Sequence, residues 1–277
     1  MNKPRFGIAG AGYIAMRHAQ AIKEVGGEVA QVCDKNQEKL DAFLWKLTKM
    51  GLPAPKTTKS YWEMEDIDFV AICSPNHLHA HMIRYFSPKG VKVIVEKPPV
   101  IRAIDFEDLK DHDINVMLQL RYHPEMRRLQ ELAKTTQHGG CMTIRMKRDD
   151  SYWKTWKGDK LKSGGLLFNI GIHYLDAILH CFEGEASVDD GIFSDHMAIF
   201  RLKVGKHSFH VHIQLTPTSE NQTREIFVGG ECFQFSKQDN LSLEDLHTTA
   251  YRDILSGGGI KLKDCERVMN LLFSTCK

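Results

Sequence analysis

A strand-like stretch of five residues, Arg5-Phe-Gly-Ile-Ala9, apolar after its arginine, breaks at Gly10-Ala-Gly12 and resumes as an apolar pattern of helical period over Ile14–Val25. A buried strand that feeds a helix through a glycine turn must cross back over its own sheet, and it does so with one hand. The same exchange recurs. Strands are expected at Val29–Cys33, Phe69–Cys73, Val91–Val95 and Asn115–Leu120, and helices at Gln37–Lys46, Leu78–Phe86 and near Phe106–Leu109. Pro53 and Pro55 mark a loop before the third unit. Short buried strands alternating with helices predict a doubly wound parallel sheet over residues 1–122.

The glycine turn carries chemistry as well as topology. Gly10, Gly12 and Ala15 fit the G-x-G-x-x-G/A spacing, with Tyr13 and Ile14 opening the helix. The first glycine permits the tight turn, the second lets backbone approach a pyrophosphate, and the small third residue lets helix and strand pack closely. The phosphates would meet free N–H groups at the helix N-terminus. Asp34 closes the second strand 22 residues after Gly12, where a carboxylate accepts hydrogen bonds from a ribose and repels a 2′-phosphate. The spacing therefore predicts NAD rather than NADP, a preference that Lys35 weakens slightly.

Beyond Pro124 the pattern changes. A helix (Glu125–Thr135) leads into a strand, Cys141–Lys147, then a polar and aromatic loop and a strongly apolar helix, Leu166–Phe182. Alternating runs follow at His196–Lys203, Ser208–Leu215 and Glu225–Phe235, the last read as one strand. Helices near Leu243–Leu255 and Asp264–Phe273 close the chain. Residues 123–277 thus read as an α+β domain with an open, mainly antiparallel sheet covered by helices on one face.

The 277 residues carry 37 basic and 35 acidic side chains, a net charge of +2 that gives no reason to expect a nucleic-acid or membrane partner. No apolar run approaches the roughly 20 residues of a membrane helix, and the first residues lack the apolar core of a signal peptide. Seven scattered cysteines, with no C-x-x-C, predict free thiols in a reducing cytoplasm and no zinc site.

Ligands of an open parallel sheet bind beyond the carboxyl ends of its strands. Two such ends stand out: Cys73-Ser74-Pro75-Asn76-His-Leu-His79, and Glu96-Lys97-Pro98, which invites a cis Lys-Pro bond. Both are expected beside the nicotinamide end of the cofactor. A third stretch places Asn169 and His173 at i and i+4 on one helix face, with Asp176 three residues on and able to orient the imidazole. Of His77, His79 and His81, only the first and last share a helix face, with no third ligand near in sequence, so they are read as structural rather than metal-binding. His207, His210 and His212 are read as sheet surface or a subunit contact. His247 opens the penultimate helix, where it either caps the helix or meets substrate.

Together, the glycine loop, Ser74-Pro-Asn, Glu96-Lys-Pro and the G-G-x-x-x-N-x-G-x-H-x-x-D run of Gly164–Asp176 resemble the Gfo/Idh/MocA oxidoreductases, which pair an N-terminal Rossmann domain with an open-sheet domain. Within that family, Ile14-Ala-Met-Arg-His18, Leu118-Gln-Leu-Arg-Tyr-His123, Trp153-Lys-Thr-Trp-Lys-Gly-Asp159, Asn169-Ile-Gly-Ile-His173 and Asp245-Leu-His-Thr-Thr-Ala-Tyr251 are similar to UDP-N-acetyl-glucosaminuronate 3-dehydrogenases. The resemblance implies NAD-dependent oxidation of the 3-hydroxyl of a UDP-linked N-acetylated uronic acid, for surface polysaccharide such as lipopolysaccharide. It implies cofactor contacts from Ser74, Pro75, Asn76, His79, Glu96, Lys97 and Gln119. Lys97 and His173 are assigned to the reacting oxygen, His173 as base and Lys97 as alkoxide stabiliser, or the reverse. Asn169 replaces the family's usual Asp and, being an amide, binds substrate or holds His173. For the diphosphate and carboxylate of such a substrate, Arg121, Lys154 and Lys157 are the candidate cations, and Tyr152, Trp153 or Trp156 the candidate stacking rings. The chain is shorter than the subgroup and stops at Ser274-Thr-Cys-Lys277 without the expected tail, a departure that touches subunit contacts more than chemistry. A dimer or tetramer through the second sheet is expected. Two other readings stand beside this one: a dehydrogenase of a free sugar or inositol, and a non-catalytic dinucleotide or sugar sensor.

Overall fold

The computed structural model describes residues 3–218, 222–235 and 245–276. The expected helix start at Leu243 lies outside them. Strands β1 (Arg5–Ala9), β2 (Glu28–Cys33), β3 (Lys56–Thr58), β4 (Phe69–Ile72), β5 (Lys92–Glu96) and β6 (Ile114–Met117) form one wholly parallel sheet in the order β3-β2-β1-β4-β5-β6. Helices α1 (Ala15–Glu24), α2 (Gln37–Lys49), α3 (His79–Phe86) and α4 (Ala103–Leu109) join them. The central strands are mostly apolar and are fully buried at Phe6, Ile8, Val32, Val70, Val93 and Ile94, as a sheet covered on both faces requires. Strand β3 has no apolar alternation; its Lys-Thr-Thr is recruited by pairing with Gln31–Cys33 of β2, so the sequence alone reads as loop. The last strand expected in this half, Asn115–Leu120, ends at Met117 and turns into a 3₁₀ segment, Gln119–Tyr122.

The second sheet runs β12-β11-β7-β10-β9-β8. Its strands are β7 (Gly140–Lys147), β8 (Ala186–Phe193), β9 (Met197–Val204), β10 (His207–Thr216), β11 (Thr223–Val228) and β12 (Glu231–Gln234). All pairs are antiparallel except β7 with β10. Two expectations are corrected. Glu225–Phe235 is a hairpin rather than one strand, because Gly229 and Gly230 take φ of 61° and 85° and turn the chain back. Strand β8 was not foreseen: it is a polar edge strand whose pairing with β9 shifts register between Val188 and Gly191. Helices α5 (Pro124–Thr135), α6 (Asp150–Trp153), α7 (Lys160–Ser163) and α8 (Ile172–Cys181) belong to this half, α8 being led in by a π turn at Leu167–Gly171. In β10, Phe209, Val211 and Ile213 are buried, with Phe182 packed edge-on to Phe209 at 4.9 Å. His210, His212 and Gln214 alternate onto the opposite face, beside the exposed Ile199 and Phe227.

Two helices close the described chain, α9 (Asp245–Leu255) and α10 (Glu266–Thr275), and they belong to different compact units. One unit comprises residues 3–100, 104–117 and 245–264; the other comprises 101–103, 118–235 and 265–276. The chain does not divide once near residue 122: α9 returns to the first unit, where Tyr251 packs on Phe6 at 5.7 Å. No helix among the described residues is long and apolar enough to cross a membrane.

Candidate functional site

In the parallel sheet the strand order reverses between β1 and β4, which opens a crevice at their carboxyl ends. Gly10 lies there with φ +107°, and a Cβ on it would stand 2.8 Å from the Cys73 carbonyl carbon and 2.9 Å from Ser74 N. Only glycine allows β1 and β4 to approach this closely. Nothing lies within 4 Å of a Cβ on Gly12, so the turn faces open space. Asp34 fixes the turn from the side: its Oδ2 accepts from Ala11 N at 3.0 Å and its Oδ1 from Asn36 N at 2.9 Å, which leaves lone pairs on both oxygens. Helix α1 starts without a side-chain cap and without an acid in its first turn. Ser74 Oγ is buried with no hydrogen-bond partner among the described residues. Open space over Gly12, uncapped N–H groups, a half-used carboxylate and an orphaned hydroxyl fit a dinucleotide. The exposed Tyr13 accepts a 3.3 Å hydrogen bond from Arg17 Nη2, a cation at the same helix end that the sequence motif does not single out.

Lys97 follows directly on β5, and the Lys97–Pro98 bond is cis as expected. Glu96 is only 7% exposed, and its Oε1 accepts from Nε2 of His18 at 3.0 Å and of His247 at 3.4 Å. His18 Nδ1 is 2.7 Å from the Tyr251 hydroxyl. Burial pushes the Glu96 carboxyl up, but the two imidazole donors outweigh it and hold it well below the usual range. Burial lowers the His18 imidazole, against the pull of Glu96. The Glu96 carboxylate meets two histidines in the interior. His247 is fully buried on Glu96. His79 is fully buried, with Nδ1 2.8 Å from Pro98 O and Nε2 2.9 Å from Ser74 O, so its ring lies between two strand ends. Pro75 is half-buried and precedes a 3₁₀ turn, Asn76–Leu78, in which Asn76 is buried.

In the second unit, Asn169 lies in the π turn and His173 in the first turn of α8. Asn169 Nδ2 donates to the Tyr152 hydroxyl. Arg148 stands 5.3 Å over the Tyr152 ring, and Lys157 lies 5.8 Å from it and 6.0 Å from Trp156. Desolvation and then Arg148 lower the Lys157 ammonium, and burial raises the Tyr152 hydroxyl. Of the expected cations, Lys157 joins this cluster and Lys154 is exposed at the end of α6. Arg148 was missed, because it follows β7 before the aromatic loop and carries no motif. Arg121 Nε and Nη2 donate to Asp176 Oδ2 and Oδ1 at 2.8 and 2.7 Å, a bidentate, largely desolvated pair. Asp176 thus holds Arg121. Gln119 Oε1 is buried with no partner among the described residues.

A family model for the oxidoreductase NAD-binding Rossmann fold (Gfo/Idh/MocA) matches residues 4–115, and the model for the family's C-terminal alpha/beta domain matches residues 137–219. Among solved structures, the WlbA (WbpB) dehydrogenase of Thermus thermophilus in complex with NAD and alpha-ketoglutarate superposes with a TM-score of 0.87 at 28% identity, covering 99% of this chain and 95% of that one. The same dehydrogenase with NAD and UDP-GlcNAcA gives 0.85, with the same identity and coverage. The glucose-6-phosphate 3-dehydrogenase of Bacillus subtilis is 26% identical over 196 residues, 65% of this chain and 54% of that protein. The rhizopine catabolism protein MocA of Rhizobium meliloti is 24% identical over 64% of this chain and 56% of its own length. The chain thus spans a little over half the length of these curated relatives. The myo-inositol 2-dehydrogenase of Lactobacillus plantarum, at 15% identity and a TM-score of 0.81, shares the fold. With both domains matched and a glycine turn, ribose acid and orphaned serine arranged for NAD, this chain belongs to the Gfo/Idh/MocA oxidoreductase family.

Proposed function

We propose that the chain is an NAD-dependent dehydrogenase that oxidises the 3-hydroxyl of a UDP-linked N-acetylated hexuronic acid to the 3-keto sugar. Its setting is the cytoplasm, in surface polysaccharide biosynthesis. The observation that carries the substrate class is the cluster on the second unit, where Arg148 and Lys157 share the Tyr152 ring beside Asn169. Two cations against one ring repel each other, and an anion between them relieves both. A diphosphate or a carboxylate is such an anion, and Trp156 offers a face for a base or a sugar. The 28% likeness to a dehydrogenase solved with UDP-GlcNAcA supports the same reading. The same cations suit a sugar phosphate, the substrate class in the name of the Bacillus subtilis relative.

NAD, when bound, accepts the hydride released from the carbinol carbon. The chain's own residues handle the oxygen and its proton. His173 Nε2 or Nδ1 takes the hydroxyl proton as general base. The Lys97 ammonium donates to the same oxygen as negative charge grows on it. Asn169 cannot accept a proton; it orients substrate and holds Tyr152. Lys97→Ala and His173→Ala are each expected to lower kcat by roughly 10²–10⁴-fold.

The test is reduced-nicotinamide absorbance with NAD and, in parallel, UDP-N-acetylglucosaminuronic acid, glucose 6-phosphate and myo-inositol, run in single-turnover form so that retained NADH does not hide the reaction. Turnover of the UDP-uronate, with an Arg148→Ala variant raised in KM, is the expected result. Turnover of glucose 6-phosphate or inositol alone overturns the substrate, and binding of NAD without reduction by any substrate favours a sensor. The open face of the second sheet, with Ile192, Ile199 and Phe227 exposed, is the proposed homodimer or homotetramer contact.

A further inference from the structure

Lys97 is bracketed by two buried fastenings, and both are built from histidine. On its N-terminal side, the Glu96 carboxylate accepts from His18 Nε2–H at 3.0 Å and His247 Nε2–H at 3.4 Å. On its C-terminal side, the Pro98 carbonyl stands 2.8 Å from His79 Nδ1, and the other nitrogen of that ring reaches the Ser74 carbonyl of the neighbouring strand end. His18, His79 and His247 are all fully buried. The first fastening has one proton arrangement that satisfies every member. If His18 Nε2–H donates to Glu96, its Nδ1 is an acceptor, and the Tyr251 hydroxyl at 2.7 Å must donate to it. Tyr251 and His247 are i and i+4 on α9 and present both groups from one face. The His18 ring meets that of His247 edge-on at 5.3 Å and that of Tyr251 at 5.7 Å.

We propose that His18, His247 and Tyr251 are positioning residues for Lys97. They hold the Glu96 carboxylate in one orientation and, with His79, fix the backbone on both sides of the lysine. The inference rests on the assignment of Lys97 to the reacting oxygen. A flexible lysine stem is a poor device for placing an ammonium, and a misplacement of about 1 Å at a reacting group can cost about 10²-fold in rate. A backbone held on both flanks removes the first source of that error. The groups that face the carboxylate and its clamp are His18 and Arg17 on α1, Cys73 after β4, His79 on α3, and His247 and Tyr251 on α9.

The first arm of the test needs no substrate. Nitrogen-15 spectra of the histidine rings in the whole chain are expected to show His18 as the neutral Nε2–H tautomer on both sides of neutral pH, and to lose that definition in Tyr251→Phe. An Nδ1–H tautomer, an imidazolium, or metal-shifted nitrogens after addition of zinc would overturn the clamp. The second arm is kinetic, with NAD and UDP-N-acetylglucosaminuronic acid. Tyr251→Phe and His247→Ala are expected to lower kcat about 10- to 100-fold with KM for both ligands little changed. His247→Gln, which keeps a donor in the place of Nε2–H, restores most of the loss. If Lys97→Ala is inactive while the clamp variants keep wild-type kcat, the clamp fails alone. If Lys97→Ala turns over normally, the assignment of Lys97 fails and the nitrogen-15 arm decides the clamp by itself.

Discussion

Asp176→Ala is the sharpest test of the second unit. Arg121 and Asp176 form a two-bond fork at 2.8 and 2.7 Å, with side chains only 12% and 4% exposed. Alanine removes both acceptors from a guanidinium that is largely out of water. Breaking one member of such a pair costs about 3–5 kcal/mol, where a solvent-exposed pair would cost about 0–1 kcal/mol. At roughly 2–4 °C per kcal/mol for a domain of 150–250 residues, the expected drop in Tm is roughly 6–20 °C. The double variant Arg121→Met, Asp176→Leu removes the charge as well as its partner, and is expected to return close to wild type. Calorimetry of the two single variants and the double one closes the cycle. A drop of about 1 kcal/mol or less in Asp176→Ala, or a double variant as unstable as the sum of the singles, would refute the account of a desolvated pair.

Gly10→Ala is expected to abolish NAD binding in calorimetric titration, since φ +107° and a 2.8 Å approach to Cys73 backbone leave no room for a methyl. Unchanged affinity would remove the turn from the site. Stability is expected to fall as pH drops below 6.5, because the folded value of His18 lies under that of the unfolded chain, which then binds the proton more tightly. The slope is about 1.4 kcal/mol per pH unit for this histidine, present in full above 6.5 and lost below it. Glu96 has the same sign, but its contribution is lost only in stronger acid, below the carboxylate value of 4.5. Thermal scans of His18→Gln against wild type isolate the histidine share. Phe227→Arg on the open sheet face is expected to yield monomers by light scattering if that face joins subunits.

The parallel sheet was legible because its strands are apolar on both faces and its helices amphipathic, so period and length alone separate them. Strand β3 was not, because its three polar residues become a strand only through Gln31–Cys33 beside them. The hairpin at Gly229-Gly230 was legible in principle: paired glycines in an alternating run are a turn signal, outweighed here by the apolar residues on either side. Among the candidate site residues, Gly10, Gly12 and Asp34 stand out by spacing, and Ser74 and Lys97 by their place just past strand ends. The clamp does not, since His18, Glu96, His247 and Tyr251 come from three segments, and only the i, i+4 relation of His247 and Tyr251 is local. The pairing of Arg121 with Asp176 was hidden for a related reason: the two lie 55 residues apart.

The return of α9 to the first unit has a consequence for synthesis. A nascent chain emerges amino end first, and domains commonly settle in that order. Here the nucleotide-binding lobe cannot be finished when residue 117 leaves the ribosome, for its last wall arrives with Tyr251 and Leu262. Until then Phe6, His18 and Glu96 lack their cover, so a nonsense product ending in the second sheet should emerge as a chaperone client rather than as a free-standing NAD-binding fragment.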